Sequence, residues 1–353
     1  MKFNNLRILT LVVLGLVGSL PAQQTITKQF SVKKNDNLTL KVIGEIEVTV
    51  WDKQEVVIEI AGVDEDDTKG LSVAQNGNTI TVNTEQAHNS DLSFNIKIPE
   101  SCNLSLKTSG GEILCHGNID GAITAKTAGG NIVIGSATGQ IDLKTAGGDI
   151  IVGDAGHDVF LSTSGGDIST GNIHGTAKIT TSGGDIKLGN IGGELRAATS
   201  GGDIRVGSVN GYCKLASSGG DIHMEKCLGS LSAATSGGSI SLLDVQGAVS
   251  AVTSGGDVVV ELTGNPKEDS KLVTSGGKIT VSVADNVHAT VQATISYDSS
   301  ERDNVYKVYS DFKVTRERSN DYELQKEYEI NGGGSVVRLK TNGNDIVVKK
   351  LLK

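Results

Sequence analysis

Aromatic side chains are nearly missing from this chain: five Phe, one Trp and six Tyr stand among 353 residues. That is not the composition of an ordinary globular enzyme core. Proline is scarcer still, at Pro21, Pro99 and Pro266 only, so it marks boundaries and cannot interrupt the segments between them. Positive charge is also short, with 32 Lys and Arg against 41 Asp and Glu, a net charge of −9. This balance opposes binding to a phosphate backbone, which needs clustered cations to release counterions. Nucleic acid is therefore not expected as a partner. The four cysteines, Cys102, Cys115, Cys213 and Cys227, form no C-x-x-C pair, which excludes a zinc knuckle and a thioredoxin-like motif. No G-x-S-x-G, Walker or H-E-x-x-H string occurs, although Ser and Gly are abundant.

One apolar run exists, at the start. Lys2 and Arg7 precede the stretch from Ile8 to Gly18, and Ser19-Leu20-Pro21-Ala22 supplies small residues for cleavage near Gln23. A run of that length is too short for a bilayer, which takes about 20 helical residues. The expectation is a signal peptide over residues 1–22, with a mature chain in the periplasm, on the outer cell surface or outside the cell. No Cys sits at the cleavage site, which disfavours a lipid anchor.

What the chain has in quantity is glycine, 46 residues without a collagen period. Gly pairs begin at 110, 129, 147, 165, 183, 201, 219, 237, 255 and 276, and most intervals are 18 residues. The last interval is longer by three and carries Gly264-Asn265-Pro266-Lys267, a loop signal at a corner. In the coil from Gly183 to Ser200, Ile186 and Leu188 alternate with polar neighbours, Gly189 to Gly193 breaks the chain, and Leu195, Ala197 and Thr199 alternate again. Two short strands and two corners cannot bury their apolar face alone, so equivalent strands must stack in parallel, about 4.8 Å apart. A left-handed triangular helix would need an aliphatic residue every six positions. The calcium-binding β-roll would need Gly where Ile186 stands and Asp where Leu188 stands. Both fail. The expected fold is all-β: a single-stranded parallel β-helix of about 18 residues per coil, right-handed because parallel crossovers almost always are. Ten coils would make a rod about 48 Å long. Residues 23–107 are read as an N-terminal β region and cap, 108–286 as the repeat, and 287–353 as a C-terminal cap with a degenerate last coil from Gly333 to Val348.

Three features carry the resemblance to a known family: Gly44-Glu45-Ile46-Glu47-Val48 with Trp51-Asp52-Lys53, Ile96-Lys97-Ile98-Pro99 leading into Leu104 to Gly111, and the iterated Thr-Ser-Gly-Gly-Asp-Ile. With these the chain resembles the "putative adhesin" β-strand-repeat family of bacterial cell envelopes, akin to an autotransporter-adhesin head domain. The resemblance covers nearly the whole mature chain and implies an exported β-helix, with no site residues to transfer.

Candidate chemistry lies in columns. Asp149, Asp167, Asp185, Asp203 and Asp221 recur in consecutive coils, where neighbouring carboxylates would repel by about 1 kcal/mol per pair at the dielectric of water. Corner capping offsets this, or a row of weak divalent-cation sites does, with calcium as the candidate ion. The Thr column from Thr108 to Thr274 is read as inward, its hydroxyls satisfying corner backbone groups. Cys115, Cys213 and Cys227 occupy aliphatic coil positions and read as core, with a Cys213–Cys227 bridge left open. His116, His157, His174 and His223 scatter around the coil. Tyr297, Tyr306, Tyr309 and Tyr322 gather in the non-repetitive C-terminal flank and are the candidate contact residues. The functional expectation is a non-enzymatic envelope or surface protein with an adhesin-like binding or scaffolding role. Its partner would be a surface ligand, a glycan or another envelope protein. The alternative is a polysaccharide-active lyase or glycoside hydrolase, since charged outward residues such as Lys187 and Arg205 lie beside the Ile column. Ile151, Ser169 and Ser241 hold the equivalent places, however, and form no groove.

Overall fold

The structure, a computed structural model, describes residues 24–64, 70–84, 92–297 and 306–352. The expected signal peptide lies outside the described residues. The fold is all-β, built from two long sheets of mainly parallel strands, and it divides into two compact units between Thr163 and Ser164.

In the first unit, one sheet begins with antiparallel neighbours, Gln24–Ser31 against Glu55–Val63 against Ser93–Pro99. It then turns parallel through Glu45–Trp51, Ile113–Ile119, Ile132–Ala137 and Ile150–Val152. The other sheet starts with the hairpin Ser72–Asn76 and Thr79–Asn83. It continues in parallel through Asp36–Val42, Cys102–Thr108, Ile123–Lys126, Ile141–Lys144 and Val159–Ser162. Residues 36–51 thus form a coil of the solenoid ahead of the first Gly pair. Gly44, at φ 114°, takes its corner.

The second unit repeats this plan. Ile186 pairs with Ile168 and Ile204, Ile204 with Ile222, Ile222 with Ile240, Ile240 with Val258, and Val258 with Ile279. The column continues to Ile346, and every member is at most 1% exposed. An in-register aliphatic stack of this kind is the core of each unit, and its burial is the main driving force for folding.

Chain order and stacking order part company at the C-terminus. Ser335–Asn342 and Ile346–Lys350 pair directly with Ser270–Val273 and Ile279–Val283, the last coil bearing a Gly pair. The earlier strand Ala289–Ser296 lies beyond Ser335–Asn342 and is covered in turn by the antiparallel Glu323–Ile330, where Tyr328 is buried at 1% exposure.

Candidate functional site

The corners show what the polar columns do. Thr199 Oγ1 donates to the carbonyl of Gly184, at the corner that opens its coil, at 2.9 Å and accepts the N–H of Gly202, at the corner that follows it, at 3.3 Å. Thr181, Ser217, Thr235 and Thr253 do the same in their coils. Thr108 begins the column on Gly44 and Thr341 ends it on Gly277. A buried hydroxyl with a donor and an acceptor on either side is satisfied, and among the described residues no buried side-chain polar atom lacks a partner.

The second Gly of each pair is dictated by the same stacking. A Cβ on Gly130 would stand 2.2 Å from the carbonyl oxygen of Gly111, and one on Gly202 2.2 Å from that of Gly184. No side chain fits there.

The Asp column has a backbone partner at each step within the second unit. Asp167 Oδ1 accepts the N–H of Asp185 at 2.7 Å, Asp185 that of Asp203 at 2.8 Å, Asp203 that of Asp221 at 2.8 Å, and Asp221 that of Ser239 at 2.7 Å. In the first unit Asn131 Oδ1 serves Asp149 in the same way. Asp203 Oδ2 also takes Arg205 at 2.9 Å. The column is a chain of inter-coil caps, which neutral Asn131 performs as well. Among the described residues no group of three or more His, Cys, Asp or Glu side chains is arranged to hold a metal ion.

The cysteines pack in aliphatic columns: Cys115 between Val48 and Ile134, Cys213 between Leu195 and Leu231, Cys227 between Val209 and Val245. All four are free thiols. Burial pushes Cys102 and Cys115 up to about 12 and Cys227 up to about 11. Cys213 is raised by burial first and by neighbouring Cys227 second. Such thiols are poor nucleophiles. His116 lies 3.3 Å from Glu47, His157 lies 3.9 Å from Asp158, and the His288 ring contacts the Asn331 carbonyl at 2.6 Å. All three are exposed.

The four C-terminal tyrosines divide. Tyr309 and Tyr322 face solvent, at 51% and 62% exposure. Tyr297 donates its hydroxyl to the Asn320 carbonyl at 2.9 Å, and the Tyr306 ring packs 3.6 Å from where a Cβ on Gly343 would stand. A groove of ≈ 700 Å³ is lined by Lys226, Asp244, Gln246, Glu261, Thr263 and Asp285 among others. Its one cation, Lys226, is held 2.6 Å from Asp244, which also accepts the Thr263 hydroxyl at 2.6 Å. Glu261 and Asp285 also line the groove, which leaves it acidic.

Outward residues of the strands carry a feature that the motif search missed. In the first unit Lys41 lies opposite Lys107, Lys107 opposite Lys126, and Lys126 opposite Lys144. All four are exposed, and none makes an ion pair with a described residue. On the same face, two residues back along each strand, stand Thr39, Ser105, Thr124 and Asp142, followed by Phe160 at 36% exposure. In the second unit, Lys178, Arg196 and Lys214 align similarly, but Arg196 is tied to Glu194 at 3.0 Å and lies over the Tyr212 ring. Lys107, Lys126 and Lys144 recur at the coil period, so the count that found the Ile column could have found them. Lys41 is outside the period.

The chain matches the Toastrack DUF4097 family over residues 35–227, more than half its length, and belongs to that family. No curated protein matches it in sequence. Among solved structures it is similar to a "putative adhesin" of Parabacteroides distasonis ATCC 8503, at 13% identity and a TM-score of 0.37, over 74% of this chain and 98% of that one. A "putative adhesin" of Bacteroides fragilis NCTC 9343 matches at 13% identity and a TM-score of 0.26, over 95% and 100%. A "putative lipid binding protein" of Parabacteroides distasonis ATCC 8503 matches at 13% identity and 0.28, over 91% and 96%.

Proposed function

We propose that this is an exported, non-catalytic protein of the bacterial cell envelope or surface, with an adhesin-like binding or scaffolding role. One observation carries the reading: the recurring Thr and Asp side chains, the densest chemistry in the sequence, are engaged by backbone groups of adjacent corners. Side chains held in that way build a scaffold, and interaction falls to the outward strand faces and the C-terminal flank. The positive, apolar N-terminus supports export, and no helix among the described residues is long and apolar enough to cross a membrane. In this reading residues 1–22 are the leader, 23–107 and 287–353 flank the repeat, and Tyr309 and Tyr322 are the flank's contact residues.

The test is a glycan and envelope-protein binding array probed with the full chain, alongside reducing-sugar and lyase assays on the same glycans. Binding without turnover is expected. Release of reducing ends or unsaturated sugars would make the protein an enzyme.

A further inference from the structure

We infer that the row Lys41, Lys107, Lys126 and Lys144 is a binding site for a linear acidic polysaccharide carrying about one carboxylate or sulfate per sugar. This rests on the binding role proposed above and names its ligand class.

The row is a consequence of register. Four strands from consecutive coils each present a lysine at the same outward position, so the stems rise from one sheet face at about the 4.8 Å strand spacing. Asn83 precedes Lys41 in the row and Ser162 follows Lys144, so the charge is confined to four adjacent strands. Like charges directly opposite each other in a sheet are destabilising, by about 1 kcal/mol per neighbouring pair at the dielectric of water. The Asp column meets a similar cost with an inter-coil hydrogen bond at each step described above. Among the described residues no ion pair or inter-coil hydrogen bond gives the lysine row such an offset, and Asp142 stands beside Lys144 alone. A bound polyanion would supply the missing counter-charge.

The surroundings select among polyanions. Beside the amines runs a hydroxyl column of Thr39, Ser105 and Thr124, able to donate to and accept from sugar hydroxyls and ring oxygens. Phe160, half-exposed at the end of that column, offers an apolar face of the kind that stacks against a sugar ring. Asp142 adds an acceptor beside Lys144 and lowers the local positive charge, which favours a ligand rich in hydroxyls over one of maximal charge density. Duplex DNA presents a charge about every 1.7 Å along its axis, far denser than amines spaced about 4.8 Å apart. A lipid surface would call for apolar side chains that insert, and only Phe160 is present. Lysine also suits a ligand of variable substitution, because a point charge on a flexible stem does not demand a fixed bidentate geometry.

Titration of the full chain with fluorescent polygalacturonate and heparin oligomers tests the site, with neutral dextran, duplex DNA and phosphatidylglycerol vesicles as comparisons. The expected result is binding of an acidic polysaccharide that falls about tenfold or more over a fourfold rise in salt, as four ionic contacts require. Lys107→Gln with Lys126→Gln should weaken binding by about tenfold and flatten the salt dependence, while Lys267→Ala with Lys349→Ala should leave both unchanged. Circular dichroism and melting curves establish that each variant is folded, and the salt titration of the unaltered chain needs no variant. Failure to bind either acidic polysaccharide, affinity indifferent to the Lys107 and Lys126 substitutions, or tighter binding of DNA or vesicles than of polysaccharide would overturn the proposal. Capture of a neutral glycan that survives those substitutions would sink the lysine row and leave the binding role standing.

Discussion

Asp185 Oδ1 accepts the backbone N–H of Asp203, one coil away, at 2.8 Å, and the N–H of Asp185 is itself received by Asp167 Oδ1 at 2.7 Å. Each carboxylate therefore caps its neighbour's corner, and a row of like charges is held together by the groups that carry them. Asn131 and Ser239 occupy the same column and perform the same acceptance, for Asp149 and Asp257. The essential property is an acceptor oxygen, and the charge is incidental.

Asp185→Asn should therefore keep the hydrogen bond, relieve repulsion with Asp167 and Asp203, and raise the melting temperature at low salt. Asp185→Ala should lower stability by about 1–2 kcal/mol, because the Asp203 amide loses its partner. Thermal unfolding at matched ionic strength, with and without calcium, should give superimposable curves. A calcium-specific rise that disappears in Asp185→Asn would establish a bound ion in the column.

Thr199→Val preserves shape and removes the hydroxyl that joins Gly184 to Gly202. Two backbone groups lose a partner inside a corner, so a loss of about 1–3 kcal/mol is expected in urea unfolding. Thr199→Ser should be mild, since Ser217 makes the equivalent pair of bonds at 2.9 and 3.0 Å. Equal stability of the Val variant would show that the corner bonds contribute nothing.

The two glycines of a pair should respond differently. A Cβ on Gly130 meets the Gly111 oxygen at 2.2 Å, whereas one on Gly129 is 3.6 Å from the Gly110 oxygen. Gly130→Ala must push two coils apart and should cost about 3 kcal/mol. Gly129→Ala should lie within about 0.5 kcal/mol of the unaltered chain. Parallel melting curves of the two variants decide it.

Asp269 ties the insertion after Gly264 to the C-terminal strand, accepting from Val336 N–H and from the Arg338 guanidinium at 2.9 Å each. The Val336 bond first and Arg338 second hold its carboxyl below the ordinary value of 3.8. A depressed carboxyl contributes stability above its unfolded value and loses it as pH falls through the folded one. The melting temperature of Asp269→Asn should therefore lie below that of the unaltered chain at neutral pH, with the gap closing in acid. A gap independent of pH would mean that the carboxylate's charge is irrelevant there.

The repeat was legible because its causes are local and recur. Each coil needs Gly where the preceding coil's backbone approaches, a hydroxyl at the inward position before it, and an aliphatic residue after the corner. A count along the sequence finds all three, and with them the fold class and the buried state of Cys115, Cys213 and Cys227. The function of the Asp oxygens was not legible, because capping and cation binding ask for the same residue at the same period; the bond from the Asp203 amide to Asp185 shows the cap, and the calcium melting curves decide on the ion. Nor could the sequence place Lys41 beside Lys107, 66 residues away. That neighbourhood exists because Leu38 and Leu40 are buried in register with Leu104 and Leu106. The position of Ser335–Asn342 ahead of Ala289–Ser296 has the same origin, for strand register outside the period is chosen by which apolar faces bury each other, a non-local competition that periodicity does not record.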